Sequence, residues 1–298
     1  MEQPRSDADS GGGGGPSLLL YRLPVATDRS LAVLSDPGNS WGYCIGNQLW
    51  SAAELLLHHL VAGEPDQAGV GGHTGGGGGG VGGSGGGGGA GWLRGKRVLE
   101  LGCGLGLPGQ AAAVHGAREV LLTDVEGMMP LLRHNVSANF GTGAPPPQVA
   151  DAEIPTVGAG GRLAAAVATA GRRAEHDSSL LVATAPLDWN LPVPAACNGP
   201  WDVILGSDVA YHPDSFAGFW STLASVCDES TVVLLSLPDR HEDEESHLPV
   251  FLAASAGRFG WELLQRRRFE EGQSEMQLFR VWKLGQDDGG GGSGGGDG

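Results

Sequence analysis

The sequence is short of cationic side chains, of paired cysteines and of long apolar runs. Lys96 and Lys283 are its two lysines, and 18 Lys and Arg stand against 34 Asp and Glu, for a formal net charge of −16 over 298 residues. So acidic a chain lacks the basic face that nucleic acid or an anionic membrane requires, and neither partner is expected. No apolar run reaches the ~18 residues of a membrane span. The cysteines, Cys44, Cys103, Cys197 and Cys227, show no CxxC spacing. Reduced thiols in a cytoplasmic protein are the default reading, with the nucleus also open. The opening residues MEQPRSDADS carry early acids and no apolar core, which disfavours a secretory signal or a transit peptide. The stretch His241-Glu-Asp-Glu-Glu-Ser-His247 has metal-capable side chains but no tetrahedral ligand spacing, so it reads as a charged loop and no metal is expected.

Glycine is what the chain has in excess, and it is confined. Thirty of the 54 glycines fall in residues 11–15, 69–91 and 289–298. Such runs have no side chains to bury and cannot offset chain entropy, so they read as linker. The expected organisation is a disordered tail over 1–16, one domain over 17–284 with flexible inserts at 63–91 and 141–178, and a glycine-rich tail over 285–298. A monomer is expected.

Within the domain, strand and helix patterns alternate. Two short extended segments, 17–25 and 30–35, precede a helix announced by Ser51 and Glu54, a capping box with Trp50 and Leu55 as its apolar staple. RVLEL (97–101), EVLLT (119–123), LLVAT (180–184), DVILGS (202–207) and TVVLLSL (231–237) read as strands. Helices are expected at 108–115, 127–139, 216–226 and 246–259. Segments 261–269 and 275–284 pair as a final hairpin. This alternation specifies an α/β fold of Rossmann-like type, a mostly parallel sheet with crossover helices and an antiparallel C-terminal hairpin.

The chemistry concentrates at VLELGCGLGLPG (98–109). Gly102, Cys103 and Gly104 follow a buried strand and precede a helix, where the backbone can approach a ligand closely. Asp124 lies twenty residues after Gly104, at the end of the next strand, placed to accept hydrogen bonds from ribose hydroxyls. This spacing fits NAD and S-adenosylmethionine equally. Glu100 leans toward the second, because a carboxylate facing a pyrophosphate is unfavourable and one beside a sulfonium cofactor is tolerable. The polar and aromatic strand ends at 186–189 and 207–211 and the little room for a separate substrate domain lean the same way. Cys103 reads as a small filler rather than a nucleophile, having no histidine placed nearby. Asn135 and Asn139 read as surface or capping groups.

Taken in order, GNQLW (46–50), VLELGCGLGLPG, LLTD (121–124), LLRHNVSAN (131–139), LDW (187–189) and DVILGSDVAY (202–211) resemble the methyltransferase-16-type, seven-strand protein-lysine methyltransferases. The resemblance implies a class I methyltransferase fold, S-adenosyl-L-methionine as cofactor and a protein lysine as acceptor. It implies that Trp50, Gly102, Cys103, Gly104, Asp124, Trp189 and Ser207 contact the cofactor. Asp208 and Tyr211 match the family's acid-x-x-Tyr motif and are the expected catalytic pair. The inserts are longer than the family pattern suggests, and His212-Pro213 follows where the family varies. Methylation of arginine, histidine or a small molecule, a NAD-dependent oxidoreductase, and an inactive cofactor-binding scaffold are the alternatives.

Overall fold

The computed structural model describes residues 19–26, 29–36, 45–63, 90–141, 180–239, 247–269 and 274–285. The two expected tails lie outside the described residues except for Gly285, and the expected inserts do so except at their margins.

Seven strands form one sheet in the order β5-β4-β3-β6-β7-β9-β8. They are β3 (Arg97–Leu101), β4 (Glu119–Asp124), β5 (Leu181–Pro186), β6 (Val203–Ser207), β7 (Val232–Asp239), β8 (Phe259–Arg267) and β9 (Glu275–Lys283). The first five run parallel, whereas β9 is antiparallel to both its neighbours, β7 and β8. The expected antiparallel hairpin is therefore present, with its second strand inside the sheet and its first at the edge.

Alternation along each parallel strand builds two cores, one on each face. Val98, Val120, Val203 and Leu205 pack with α1 (Ser51–Ala62), α2 (Leu107–Val114) and α3 (Met129–Phe140). Leu99, Ile204, Val233 and Phe279 pack with α4 (Phe216–Val226) and α5 (His247–Ala253). The second core is aromatic, with Trp220 and Phe251 at 4.9 Å between ring centroids and the Trp220 indole donating to the Phe251 carbonyl at 2.8 Å. Chain order leaves β3 toward β4 and β5 on one side and returns through β6 and β7 on the other. That reversal places a ligand crevice at the carboxyl ends of β3 and β6.

Three local expectations change. Helix α1 starts with Ser51 as its first helical residue and Trp50 as cap residue, so the Ser51–Glu54 box is displaced by one position. Helix α5 stops at Ala253, short of the expected 259, where the Ser255 hydroxyl donates to the Leu252 carbonyl at 2.6 Å and Gly257 turns with φ +75. Asn135 and Asn139 are not surface or capping groups. Strands β1 (Leu19–Ala26) and β2 (Arg29–Ser35) form an antiparallel hairpin, and the two asparagines hold it to α3. Asn135 accepts from the Leu34 N–H at 2.8 Å and donates to its carbonyl at 3.1 Å; Asn139 accepts from the Ala32 N–H at 2.9 Å and donates to its carbonyl at 2.8 Å. Side chains four apart on a helix are about 6 Å apart along its axis, close to the ~6.8 Å between alternate strand residues. Two helix side chains thus stand in for a neighbouring strand.

Candidate active site

A cavity of about 540 Å³ opens at the carboxyl ends of β3 and β6, within the size range of cofactor sites. Trp50, Gly102, Cys103, Gly104, Asp124, Trp189, Ser207, Asp208 and Tyr211 all line it. Every site residue expected from the sequence is therefore brought to one place.

The loop after β3 turns sharply because Gly102 and Gly104 adopt left-handed backbone, with φ of +61 and +52. Side chains are excluded there twice over, since a Cβ on Gly102 would stand 2.9 Å from the Trp189 ring. The Cys103 N–H donates to the Thr123 carbonyl at 2.9 Å, and the Gly104 N–H donates to the Asp124 carboxylate at 2.7 Å. The other Asp124 oxygen accepts from the Val125 N–H at 2.7 Å. A carboxylate has about four acceptor positions, so two remain toward the cavity for a vicinal diol. Burial pushes the Asp124 carboxyl above the usual aspartate range, while the bonds from Gly104 and Val125 hold the charged form and oppose that shift. Burial, with the neighbouring Glu100 and Asp124 carboxyls, pushes the Cys103 thiol well above its ordinary value. Cys103 is therefore a buried filler in the wall, as its sequence context suggests.

Aromatic rings close two sides. Trp189 stands edge to face on Phe219 at 5.0 Å, which fixes its ring over Gly102. Trp50 and Tyr211 are more exposed, at 37% and 41%, and form the mouth. Beyond β6, Asp208 has φ 53, the one positive φ outside glycine among the described residues. Aspartate tolerates this conformation better than most residues, yet it remains strained, and such strain concentrates at functional positions. Asp188 accepts from the Asn190 N–H at 2.9 Å, as a turn acid does, and it also faces the cavity. Gln48, Val125 and Asp214 are lining residues that sequence reasoning missed. Gln48 lies inside the GNQLW segment, Val125 directly follows Asp124, and Asp214 lies three residues past Tyr211, so adjacency to those residues is the signal that could have found them.

Glu100 departs from the sequence expectation. It does not line the cavity beside a cofactor but lies behind the loop, fully buried, accepting from the Gly109 N–H in the first turn of α2 at 2.8 Å. This placement bears on the ligand. A dinucleotide sets its pyrophosphate on the free N–H groups of this helix terminus. Here Pro108 has no N–H, Gly109 is engaged by Glu100, and Gln110 donates to the Gly106 carbonyl at 3.0 Å. Among the described lining residues there is no Lys or Arg to meet a pyrophosphate either. The acid at one end and the aromatic walls, with no Lys or Arg among the described lining residues, suit a nucleoside carrying a cationic amino-acid tail.

A model of lysine methyltransferases matches residues 28–149 and 166–252. The chain belongs to the lysine methyltransferase family. It is 31% identical over 195 residues to protein N-lysine methyltransferase METTL21A of Danio rerio, covering 64% of this chain and 68% of that protein. The METTL21A of Mus musculus is 29% identical over 52% of this chain and 56% of its own length. EEF1A lysine methyltransferase 3 of Xenopus tropicalis is 26% identical over 60% of this chain and 62% of its own. The family uses S-adenosylmethionine as methyl donor, and this chain's activity is S-adenosylmethionine-dependent methylation of protein lysine. No helix among the described residues is long and apolar enough to cross a membrane.

Proposed function

We propose that the cavity at the carboxyl ends of β3 and β6 is the methyl-transfer site, with the donor held by the glycine-loop side and the lysine received by Asp208 and Tyr211. The observation that carries this reading is the strained Asp208 backbone, set at the same cavity as Asp124 and the glycine loop. When bound, S-adenosylmethionine supplies a methyl group already activated by its positive sulfur. The protein's task is then alignment and exclusion of water, which can contribute about 7–11 kcal/mol in favourable cases.

Asp124 holds the ribose hydroxyls through its two remaining acceptor positions. Gly102, Cys103 and Gly104 let the backbone approach the donor. Trp189 bounds the nucleoside side and Trp50 the entrance, while Ser207 closes the floor beside β7. A lysine nucleophile must be neutral, against an ordinary pKa of about 10.4. Apolar walls from Trp50 and Tyr211 disfavour the ammonium by desolvation. Asp208 acts in the opposite sense, because a carboxylate favours the charged amine. Its role is therefore to dock the incoming nitrogen and to take up, through water, the proton that the ammonium sheds to become the nucleophile. The carbon–nitrogen bond then forms as the methyl–sulfur bond breaks, with S-adenosylhomocysteine as the leaving group. Tyr211 presents its ring to that nitrogen as a wall. The acidic chain suits a basic, lysine-bearing surface on its protein substrate.

The test is incubation of purified protein and cell extract with isotopically labelled S-adenosylmethionine, followed by mass spectrometry of the labelled proteins. Label on lysine that disappears with Asp208→Asn supports the reading. Label on another residue type, or unchanged labelling with Asp208→Asn, would overturn it.

A further inference from the structure

The hairpin and the glycine loop meet through one buried side chain. Asn135 is fully buried. Its amide exchanges two hydrogen bonds with Leu34 of β2, and its Nδ2 also reaches the Leu105 carbonyl at 3.4 Å. That carbonyl belongs to the loop residue directly after Gly104, whose N–H is held by Asp124. A second amide, Nε2 of the fully buried Gln110, donates to the same oxygen at 3.1 Å. Gln110 in turn accepts from Asn139 at 2.7 Å. The loop turns through left-handed residues on both sides of Leu105, at Gly104 and Gly106, so ladder bonds of regular structure do not define its path. The backbone at Leu105 is defined instead by two side-chain amides pulling from behind.

We propose that Asn135 is a positioning residue for the methyl donor: by holding the Leu105 carbonyl, it fixes the loop that presents Gly104 to Asp124 and to the cavity. This rests on the reading that the cavity takes S-adenosylmethionine. The fold supplies its own control. Asn135 and Asn139 grip β2 in the same way, but Asn135 alone of the two touches the loop carbonyl.

The experiment compares wild type, Asn135→Ala, Asn139→Ala and Gln110→Leu for thermal midpoint and for binding of S-adenosylhomocysteine by isothermal titration calorimetry. Both Asn→Ala variants lose their bonds to β2 and should lower the midpoint alike. Asn135→Ala should weaken binding tenfold or more, whereas Asn139→Ala, which keeps both donors to the Leu105 carbonyl and frees only the Gln110 amide oxygen, should weaken it clearly less. Gln110→Leu removes the second bond to Leu105 without touching β2. It should also weaken binding, and it decides the matter if Asn135→Ala does not fold. Wild-type affinity in Asn135→Ala, an equal loss in Asn139→Ala, or unchanged affinity in Gln110→Leu when that variant must decide, overturns the proposal while leaving the cavity assignment intact. Failure of the wild type itself to bind overturns both.

Discussion

Glu100→Gln should change how stability depends on pH far more than it changes stability in acid. The side chain is fully buried, one oxygen accepts from the Gly109 N–H at 2.8 Å, and the other has no partner among the described residues. Burial, partly opposed by the Gly109 bond, pushes its pKa up to about 8, and the nearby Asp124 charge pushes the same way. In the unfolded chain a glutamate titrates near 4.3. Below that pH both states hold the proton, and the stabilisation from the neutral buried group is complete. As pH rises from there toward 8, the unfolded chain releases its proton while the folded chain keeps it, so stability falls. Each tenfold difference in proton affinity between the two states is worth about 1.36 kcal/mol, so between pH 5 and pH 8 this one group removes about 3.5 kcal/mol. Glutamine has the same shape and no charge, and its carbonyl can take the Gly109 bond. Urea unfolding of both proteins at pH 5, 6.5 and 8, followed by circular dichroism, isolates the effect, because groups common to both cancel in the difference. That difference should move by several kcal/mol in favour of the variant as pH rises. A difference constant to within about 1 kcal/mol would mean that Glu100 titrates alike in both states, and the reasoning from burial would fail.

Asp124→Ala should weaken S-adenosylmethionine binding at least tenfold, as expected for charge-assisted bonds worth roughly 1.5–3 kcal/mol each. It should also lower the stability of the ligand-free protein by about 1–2 kcal/mol, since the Gly104 and Val125 N–H groups lose their acceptor; titration calorimetry and thermal melts read the two effects separately. Gly102→Ala should fold poorly and bind the donor weakly, because its Cβ must displace the Trp189 ring from left-handed backbone. Retained affinity in a folded Gly102→Ala protein would show that the ring does not bound the donor site. Asp208→Asn and Tyr211→Ala should lower single-turnover methyl transfer by a hundredfold or more with donor affinity within threefold of wild type, while Tyr211→Phe, which keeps the ring wall, should retain most of the activity. Equal losses of binding and turnover would assign both residues to the donor instead.

The alternation of strands and helices, read with the glycine loop, located the sheet and its crevice because a parallel α/β domain leaves little freedom. Once β3, β4 and β6 are recognised, the residues at and just past their carboxyl ends must converge, which accounts for seven of the nine expected site residues; Trp189, after β5, and Trp50, before α1, join them at the same cavity. Side-chain destinations were less legible. A glutamate two residues before Gly102 could face the ligand or lie behind it. Only the path of α2, whose first turn folds over β3, sends Glu100 to Gly109. Likewise the i, i+4 spacing of Asn135 and Asn139 marks one helix face without revealing that a strand 101 to 107 residues earlier would lie against it. The Ser51–Glu54 pattern gave the right helix one residue late, a shift that local signals rarely resolve.

The position of β9 also constrains how the protein can be made. Leu278, Phe279 and Val281 are buried in the two cores, and their strand bridges β7 to β8. Until residues 275–283 have emerged during synthesis, β7 ends the sheet with an open, apolar edge, and β8 has no partner. The nascent chain must therefore carry a donor site whose β3, β4 and β6 are already translated beside a sheet that cannot yet be finished. An exposed edge of this kind invites pairing with other chains. A ribosome-bound intermediate stalled before residue 275 should be protease-sensitive across β7, and release of the remaining strand should protect it in a single step.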